Sequence, residues 1–559
     1  MQLLKKNSIL LIIMLYSFAS YSQDADETNR SNHQDTLRGS YGLGRMKWNV
    51  LYYDITVIPD INAKRISGKN TITFFDSGTN TIQIDLQQPM EMDSIIEDQQ
   101  QCFFQREGDV YWVKTIKVSQ PRLKKITCYF HGKPQEAINP PWDGGWIWKV
   151  DKNNNPWISV ACQNLGASAW YPCKDTQSDE PDEGCTLNII VPDSLNGLGN
   201  GRLTAKEKLP NKLSMYTWKV NAPINNYNIV PYIGKYEHFS EIYKGLKGDL
   251  NMDYWVLDYN IIKAKKQFKD ATRMMKAFEY WFGPYPFYED GYKLIEAPHL
   301  GMEHQSAIAY GNKYTNGYLG RDLSNTGWGL KWDFIIVHES GHEWFGNNIT
   351  TSDIADMWVH EGFTNYSETL FTEYYYGKNA ANEYIRGLRN DISNDIPLIG
   401  NYGVNKEGSG DMYNKGGNLI HTIRQIINND QQFRSILIGL NKTFYHAVVT
   451  TKEVENYISE KSGIDFSKLF DQYLRTTKIP VLEYYFGNNE LHYRWSNTIE
   501  NFKMPIKYCL GKDKKECWLT PENKWQLKKM EDKTSLKKMQ VNQNFYIETK
   551  EIKKTIRNN

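Results

Sequence analysis

Two histidines and a glutamate in the stretch Val337-His338-Glu339-Ser340-Gly341-His342-Glu343-Trp344-Phe345-Gly346 have the spacing for metal chemistry. On a helix, positions i and i+4 lie on one face, about 6 Å apart along the axis. His338 and His342 can then bind one Zn²⁺, with Glu339 one residue along beside the metal. The flanks Phe334-Ile335-Ile336-Val337 and Trp344-Phe345 are apolar, so this helix is read as buried. A buried helix carrying two His and two Glu needs partners for them.

A zinc enzyme needs a third protein ligand and an open fourth position. Glu361 lies 19 residues after His342, in His360-Glu361-Gly362-Phe363-Thr364. It opens a second predicted helix, Trp358–Tyr376, and two antiparallel helices bring it beside the histidines. A closed structural zinc site would want four protein ligands, usually with Cys, and none is close in sequence. In the open site zinc acidifies a water and polarises a carbonyl. Glu339 is placed to take the water's proton and pass it to a leaving amine.

These residues carry a resemblance. The stretch HESGHEWFGNNITTSDIADMWVHEGFTNYSE resembles the zinc-binding segment of the aminopeptidase N / leukotriene-A hydrolase family of gluzincin metallopeptidases, H-E-x-x-H-x18-E with W-F-G-N and E-G-F. Phe282-Gly283-Pro284-Tyr285-Pro286, Gly301-Met302-Glu303-His304, Tyr413-Asn414-Lys415-Gly416 and Cys162-Gln163 with Tyr171–Asp175 resemble further family segments. The resemblance spans about residues 160 to 480.

The resemblance implies one Zn²⁺ on His338, His342 and Glu361. It implies Glu339 and Tyr413 as catalytic groups, with the Tyr413 hydroxyl donating to the developing oxyanion. Glu303 would bind a substrate's free α-amine, Gly301 and Met302 beside it would contribute to substrate binding, and Gln163 would line the first substrate pocket. A carboxylate at fixed distance from zinc lets only an N-terminal residue place its carbonyl on the metal. His304 departs from the family's usual Asn, and His360 also replaces an Asn but is not read as a ligand. Glu368, seven residues past Glu361 on the same helical face, is a candidate acceptor for a zinc-ligating His.

The elements that must position these groups are readable from periodicity. The chain has 559 residues, 40% hydrophobic and 14% aromatic, enough for several sizeable cores. Residues 41–240 read as an N-terminal β-domain, with strand-like runs such as Tyr52–Ile58, Asn70–Phe75, Ile126–Phe130 and Met215–Val220. Near residue 260 the period changes from 2 to 3.6. Phe268, Ala271, Met275, Phe278 and Phe282 share one face of a predicted helix 261–282. Residues 241–480 read as a mainly helical catalytic domain, with Thr450-x-x-Glu453 as a capping box for one of its helices. Residues 481–559 return to strands, as a small C-terminal β-sandwich. The expected fold class is multidomain α+β, and the resemblance implies a saddle-like first domain and a thermolysin-like second.

Lys5, Lys6, the apolar run Ile9–Tyr16 and Ser20-Tyr21-Ser22 before Gln23 read as a signal peptide over residues 1–22. Secretion or a periplasmic location is expected, without stable membrane insertion after its removal, because no later segment reaches the ~18 apolar residues of a span. Residues 23–40 read as a polar linker. The net charge of +1 gives no nucleic-acid footprint. Among the seven cysteines, Cys102/Cys128 and Cys509/Cys517 are candidates to pair within hairpins. The expected function is release of N-terminal residues from peptides with a free N-terminus, by Glu-assisted attack of zinc-bound water. A thermolysin-type endopeptidase and a catalytically silent zinc-containing binding module are the alternatives. Oligomeric state and the preferred N-terminal residue are not set by the sequence.

Overall fold

The computed structural model describes residues 31–117, 119–487, 490–511, 515–530 and 539–553. The expected signal peptide lies outside them. So do residues 23–30 of the expected linker, but its C-terminal part is ordered. His33–Gly39 forms a helix (α1), closed by a capping box in which Asn32 Oδ1 accepts from Asp35 N and Asp35 Oδ2 from Asn32 N. A polar composition suggests a loose linker, and the cap supplies the local bonds that order this segment instead.

Alternating burial builds the β-domain. In Trp48–Asp60, Tyr53, Ile55 and Val57 are all fully buried. The strand sits inside an eight-stranded sheet in the order Arg202–Leu209, Leu213–Val220, Cys185–Pro192, Trp48–Asp60, Arg65–Asp76, Arg122–Gly132, Glu91–Glu97, Gln100–Gln101. A four-stranded sheet (Asn196–Leu198, Tyr232–Gly234, Pro156–Ala161, Gly145–Val150) adjoins it and matters more for function. Its strand Pro156–Ala161 ends two residues before Gln163.

The catalytic region opens with a hairpin rather than a helix. Tyr236–Gly245, which crosses the expected boundary at 240, pairs with Gly248–Leu257 in a five-stranded sheet that also holds Tyr292–Glu296, Ile308–Tyr310 and Gly301–Met302. Behind it, the predicted helix 261–282 is two helices, Ile261–Gln267 and Lys269–Phe282 (α2), broken at Phe268 (ψ 0°). The helix with the histidines is short, Phe334–Gly341 (α3). It passes into a five-residue turn, Glu343–Asn347, where Phe345 and Gly346 leave helical geometry. Trp358–Tyr376 (α4) has the predicted bounds, and Asn414–Ile427 (α5) packs against it. Gly362 and Gly416 allow this close approach: a Cβ on Gly416 would meet Gly362 Cα at 2.9 Å. The capping box at Thr450 and Glu453 forms.

The C-terminal strands form a four-stranded sheet with Val481–Gly487 and Glu490–Ser496, and a three-stranded sheet around Ile506–Leu510. Leu482, Trp495, Ile506 and Leu519 join the core of the catalytic region. All seven cysteines are free. Cys517 pairs in register with Tyr508, so Cys509 and Cys517 point to opposite faces of their sheet. Cys102 donates its N–H to Ile95 O, and Ile95 pairs with Cys128, so a strand separates those two. No described helix is long and apolar enough to cross a membrane.

Candidate active site

Asp333 starts the site. Its carboxylate caps α3 by accepting from Ile336 N at 3.3 Å, and also takes bonds from Tyr310 Oη and Asn312 Nδ2. Phe334 to Val337 are buried, which anchors α3 and turns His338 and His342 towards α4. The two imidazole rings lie 5.1 Å apart. Glu361, in the first turn of α4, places Oε2 3.3 Å from His342 Nε2 and 3.8 Å from His338 Nε2.

That oxygen is buried and makes no hydrogen bond. A buried carboxylate oxygen without a donor, facing two imidazole nitrogens, has the chemistry of a cation site. Ligands about 2.0–2.1 Å from one ion in a tetrahedron sit about 3.3 Å apart, so the spacing fits zinc. Glu303 also approaches, with His342 and Glu361, to within 4.8 Å. The electrostatics agree. Burial pulls the His342 imidazole down, but Glu361 and Glu303 outweigh it and push it up to about 10. Metal binding would displace the proton held there.

Both histidines present Nε2 because Nδ1 is engaged. His338 Nδ1 meets Glu368 Oε1 at 2.7 Å, and the other Glu368 oxygen accepts from Tyr384 Oη at 2.6 Å. His342 Nδ1 meets the Phe345 carbonyl at 3.1 Å. The departure from helix at Phe345 and Gly346 aims that carbonyl back at the ring. Gly346 has φ +127°, and a Cβ there would press on His342 Nδ1 at 3.2 Å. Such partners fix ring orientation and raise ligand basicity.

The sites expected for substrate converge on the same cleft, a cavity of about 580 Å³ lined by Gln163, Gly301, Met302, Glu303, Glu339 and Tyr413 as well as the metal-site residues. Glu303 Oε1 accepts from Gln163 Nε2 at 2.7 Å and Tyr227 Oη at 3.1 Å, while Asn347 Nδ2 holds its carbonyl. Gln163 also reaches Glu361 Oε1, at 3.3 Å. Gly301 leaves room for the catalytic side: a Cβ there would press on Glu339 Oε1 at 2.7 Å and Ile335 Cγ2 at 2.8 Å. Burial, opposed by the two histidines, raises the Glu339 carboxyl to about 7. The Tyr413 ring lies 5.9 Å from that of His338.

His304 does not line the cavity. Its Nδ1 pairs with Tyr232 Oη, behind the strand. His360 turns away too, with Nε2 accepting from Thr351 N at 3.0 Å. Sequence reasoning missed Tyr227 and Asn347, which hold Glu303, and Glu407 and Trp142, which line the cleft. Only Asn347, within the W-F-G-N run, carried a signal.

Residues 267–473 match the model of the peptidase family M1 domain. Within and around this segment the chain is 24% identical over 327 residues to leukotriene A-4 hydrolase of Xenopus laevis, covering 54% of this chain and 49% of that one. It is 22% identical over 367 residues to aminopeptidase M1-B of Oryza sativa subsp. japonica, covering 61% and 40%. The chain thus spans half or less of the length of these relatives. Among solved structures, an M1 zinc metallopeptidase of Deinococcus radiodurans, crystallised as a Glu-to-Ala variant with a Tyr-Ser-Ala substrate, superposes with TM-score 0.63 at 19% identity. That match covers 77% of this chain and 95% of that one. Residues of this segment therefore share the fold of a known zinc peptidase, and its histidines and glutamates come close enough to hold a metal ion.

Proposed function

We propose that this protein is a zinc aminopeptidase that releases N-terminal residues from peptides. The observation that carries the reading is the Glu303 carboxylate, held by Gln163 and Tyr227 at the edge of the metal group. A substrate ammonium bound there fixes the first peptide carbonyl beside His338, His342 and Glu361.

The chain's own residues then account for the reaction. Glu303, with Gln163, holds the α-amine and excludes internal peptide bonds. Glu339, buried beside the metal group, takes a proton from the attacking water and delivers it to the leaving amine. The Tyr413 hydroxyl donates to the carbonyl oxygen as negative charge develops there. Glu368 and the Phe345 carbonyl keep both imidazoles turned inward. Zinc on His338, His342 and Glu361 supplies acidification of water and polarisation of the carbonyl. The endopeptidase alternative has no use for an amine anchor, and a silent binding module has none for a buried Glu339 beside Tyr413.

The signal-like residues 1–22 support secretion or a periplasmic location. Turnover of an aminoacyl-peptide, compared with its N-acetylated form, tests the function. The free peptide is expected to be cleaved and the acetylated one left intact, with chelator abolishing cleavage. Equal cleavage of both would sink the aminopeptidase reading. Glu339→Gln is expected to lower kcat by about 10²–10⁴-fold with zinc retained.

A further inference from the structure

We propose that the cleft selects peptides whose N-terminal residue carries a cationic side chain, arginine or lysine, with Glu407 reading that charge and the Trp142 ring flanking its stem. This rests on the aminopeptidase reading and names its substrate class.

Five glutamates line the cavity, Glu303, Glu339, Glu361, Glu368 and Glu407, and no lysine or arginine does. Four have work in the site already described: the amine, the proton, the metal and His338. Glu407 has none. It comes from the loop before Tyr413, makes no ion pair among the described residues, and is held by one bond, from Asn164 Nδ2 to Oε2 at 3.0 Å. Asn164 directly follows Gln163, which donates to Glu303. Glu407 therefore lines the same cleft as Glu303 and is tied to the segment that holds it.

The position is built rather than accidental. Next to Glu407, Asn405 N donates to Asp35 O at 3.0 Å and Ser409 N to Pro397 O at 3.0 Å. The loop is thus tied on one side to α1 and on the other to the helical region.

Trp142 is an independent observation in the same cavity. It lines the cavity yet remains 64% exposed. Its loop is tight: Asp143 Oδ2 accepts from Ile138 N at 2.6 Å and Asn139 N at 2.7 Å. Gly144 packs onto Leu165, where a Cβ would come within 2.8 Å. An exposed indole on an ordered loop, packed beside the segment that bears Gln163 and Asn164, offers a face for a guanidinium or an alkyl-ammonium stem. Leu300, Met302 and Met412 line the same cavity and suit methylenes. An acidic first residue would meet only like charge.

The test compares arginyl- and citrullinyl-4-methylcoumarin-7-amide, near-isosteres that differ in charge, on the zinc-loaded full chain. The expected kcat/KM ratio is about tenfold or more in favour of arginine. In Glu407→Gln the ratio collapses towards one, while Glu407→Asp, which keeps the charge, retains most of it. Equal turnover of the two substrates by the parent overturns the proposal without touching the aminopeptidase reading, as does a ratio that survives in Glu407→Gln. The parent ratio decides even if a variant fails to fold. If alanyl, leucyl, arginyl and citrullinyl amides are all left uncleaved, both the proposal and the aminopeptidase reading fall.

Discussion

The helical region and the β-domain share one cleft but supply it differently. The helical side delivers its metal group from two consecutive helices, His338, Glu339 and His342 on α3 and its end, and Glu361 and Glu368 on α4. The β-domain delivers Trp142, Gln163 and Tyr227 from three separate connections, each set by the packing of sheets far apart in sequence. The first arrangement is local and redundant in its support, with each imidazole oriented by its own acceptor. The second depends on docking one domain against the other. The helical side should therefore carry the chemistry and the β-domain the selection, so substitutions on the two sides should fail in different ways.

Tyr413→Phe is the largest expected break on the catalytic side in this series. Loss of a donor to the oxyanion is expected to lower kcat by about 10²–10³-fold, with KM and zinc content nearly unchanged. A KM effect alone would place Tyr413 among the binding groups. Glu368→Ala comes next. Freed of its acceptor, His338 is expected to hold zinc about 10–100-fold more weakly, read by competition with a chelator of known affinity. Unaltered zinc affinity would make Glu368 a packing residue. Gln163→Ala is the smallest and tests the β-domain. KM for free-amine peptides is expected to rise by about tenfold, with zinc affinity intact. Loss of zinc in that variant would erase the proposed division between the two regions.

Legibility followed the same division. His338 and His342 were readable because the helix period puts i and i+4 on one face, and Glu361 because a second helix begins there. Glu303 and Tyr413 were named only through the resemblance of their short segments to a known family. His360 stands where the family pattern has an asparagine, and its bond from Thr351 N could not be inferred from spacing. Tyr227 and Glu407 were not readable: an aromatic in a loop and an acid in a Gly-rich run look alike whether they face solvent or a cleft. The cysteine pairs failed for a related reason. Proximity in sequence was plausible, but a one-residue offset in register turns Cys509 and Cys517 to opposite faces.

Local order alone determined the spacing of His338 and His342, the helical character of their carrier and of the segment with Glu361, and the return to strands after Pro480. These depend on period, caps and turn residues, which act over a few positions. Tertiary structure decided the break of α3 after Gly341, the Phe345 carbonyl that orients His342, and the placement of Gln163 and Tyr227 on Glu303. It also decided that Glu407 and Trp142 line one cavity. The contacts that build the substrate end join segments far apart in the chain, and only burial of the surfaces between the domains brings them within bonding distance.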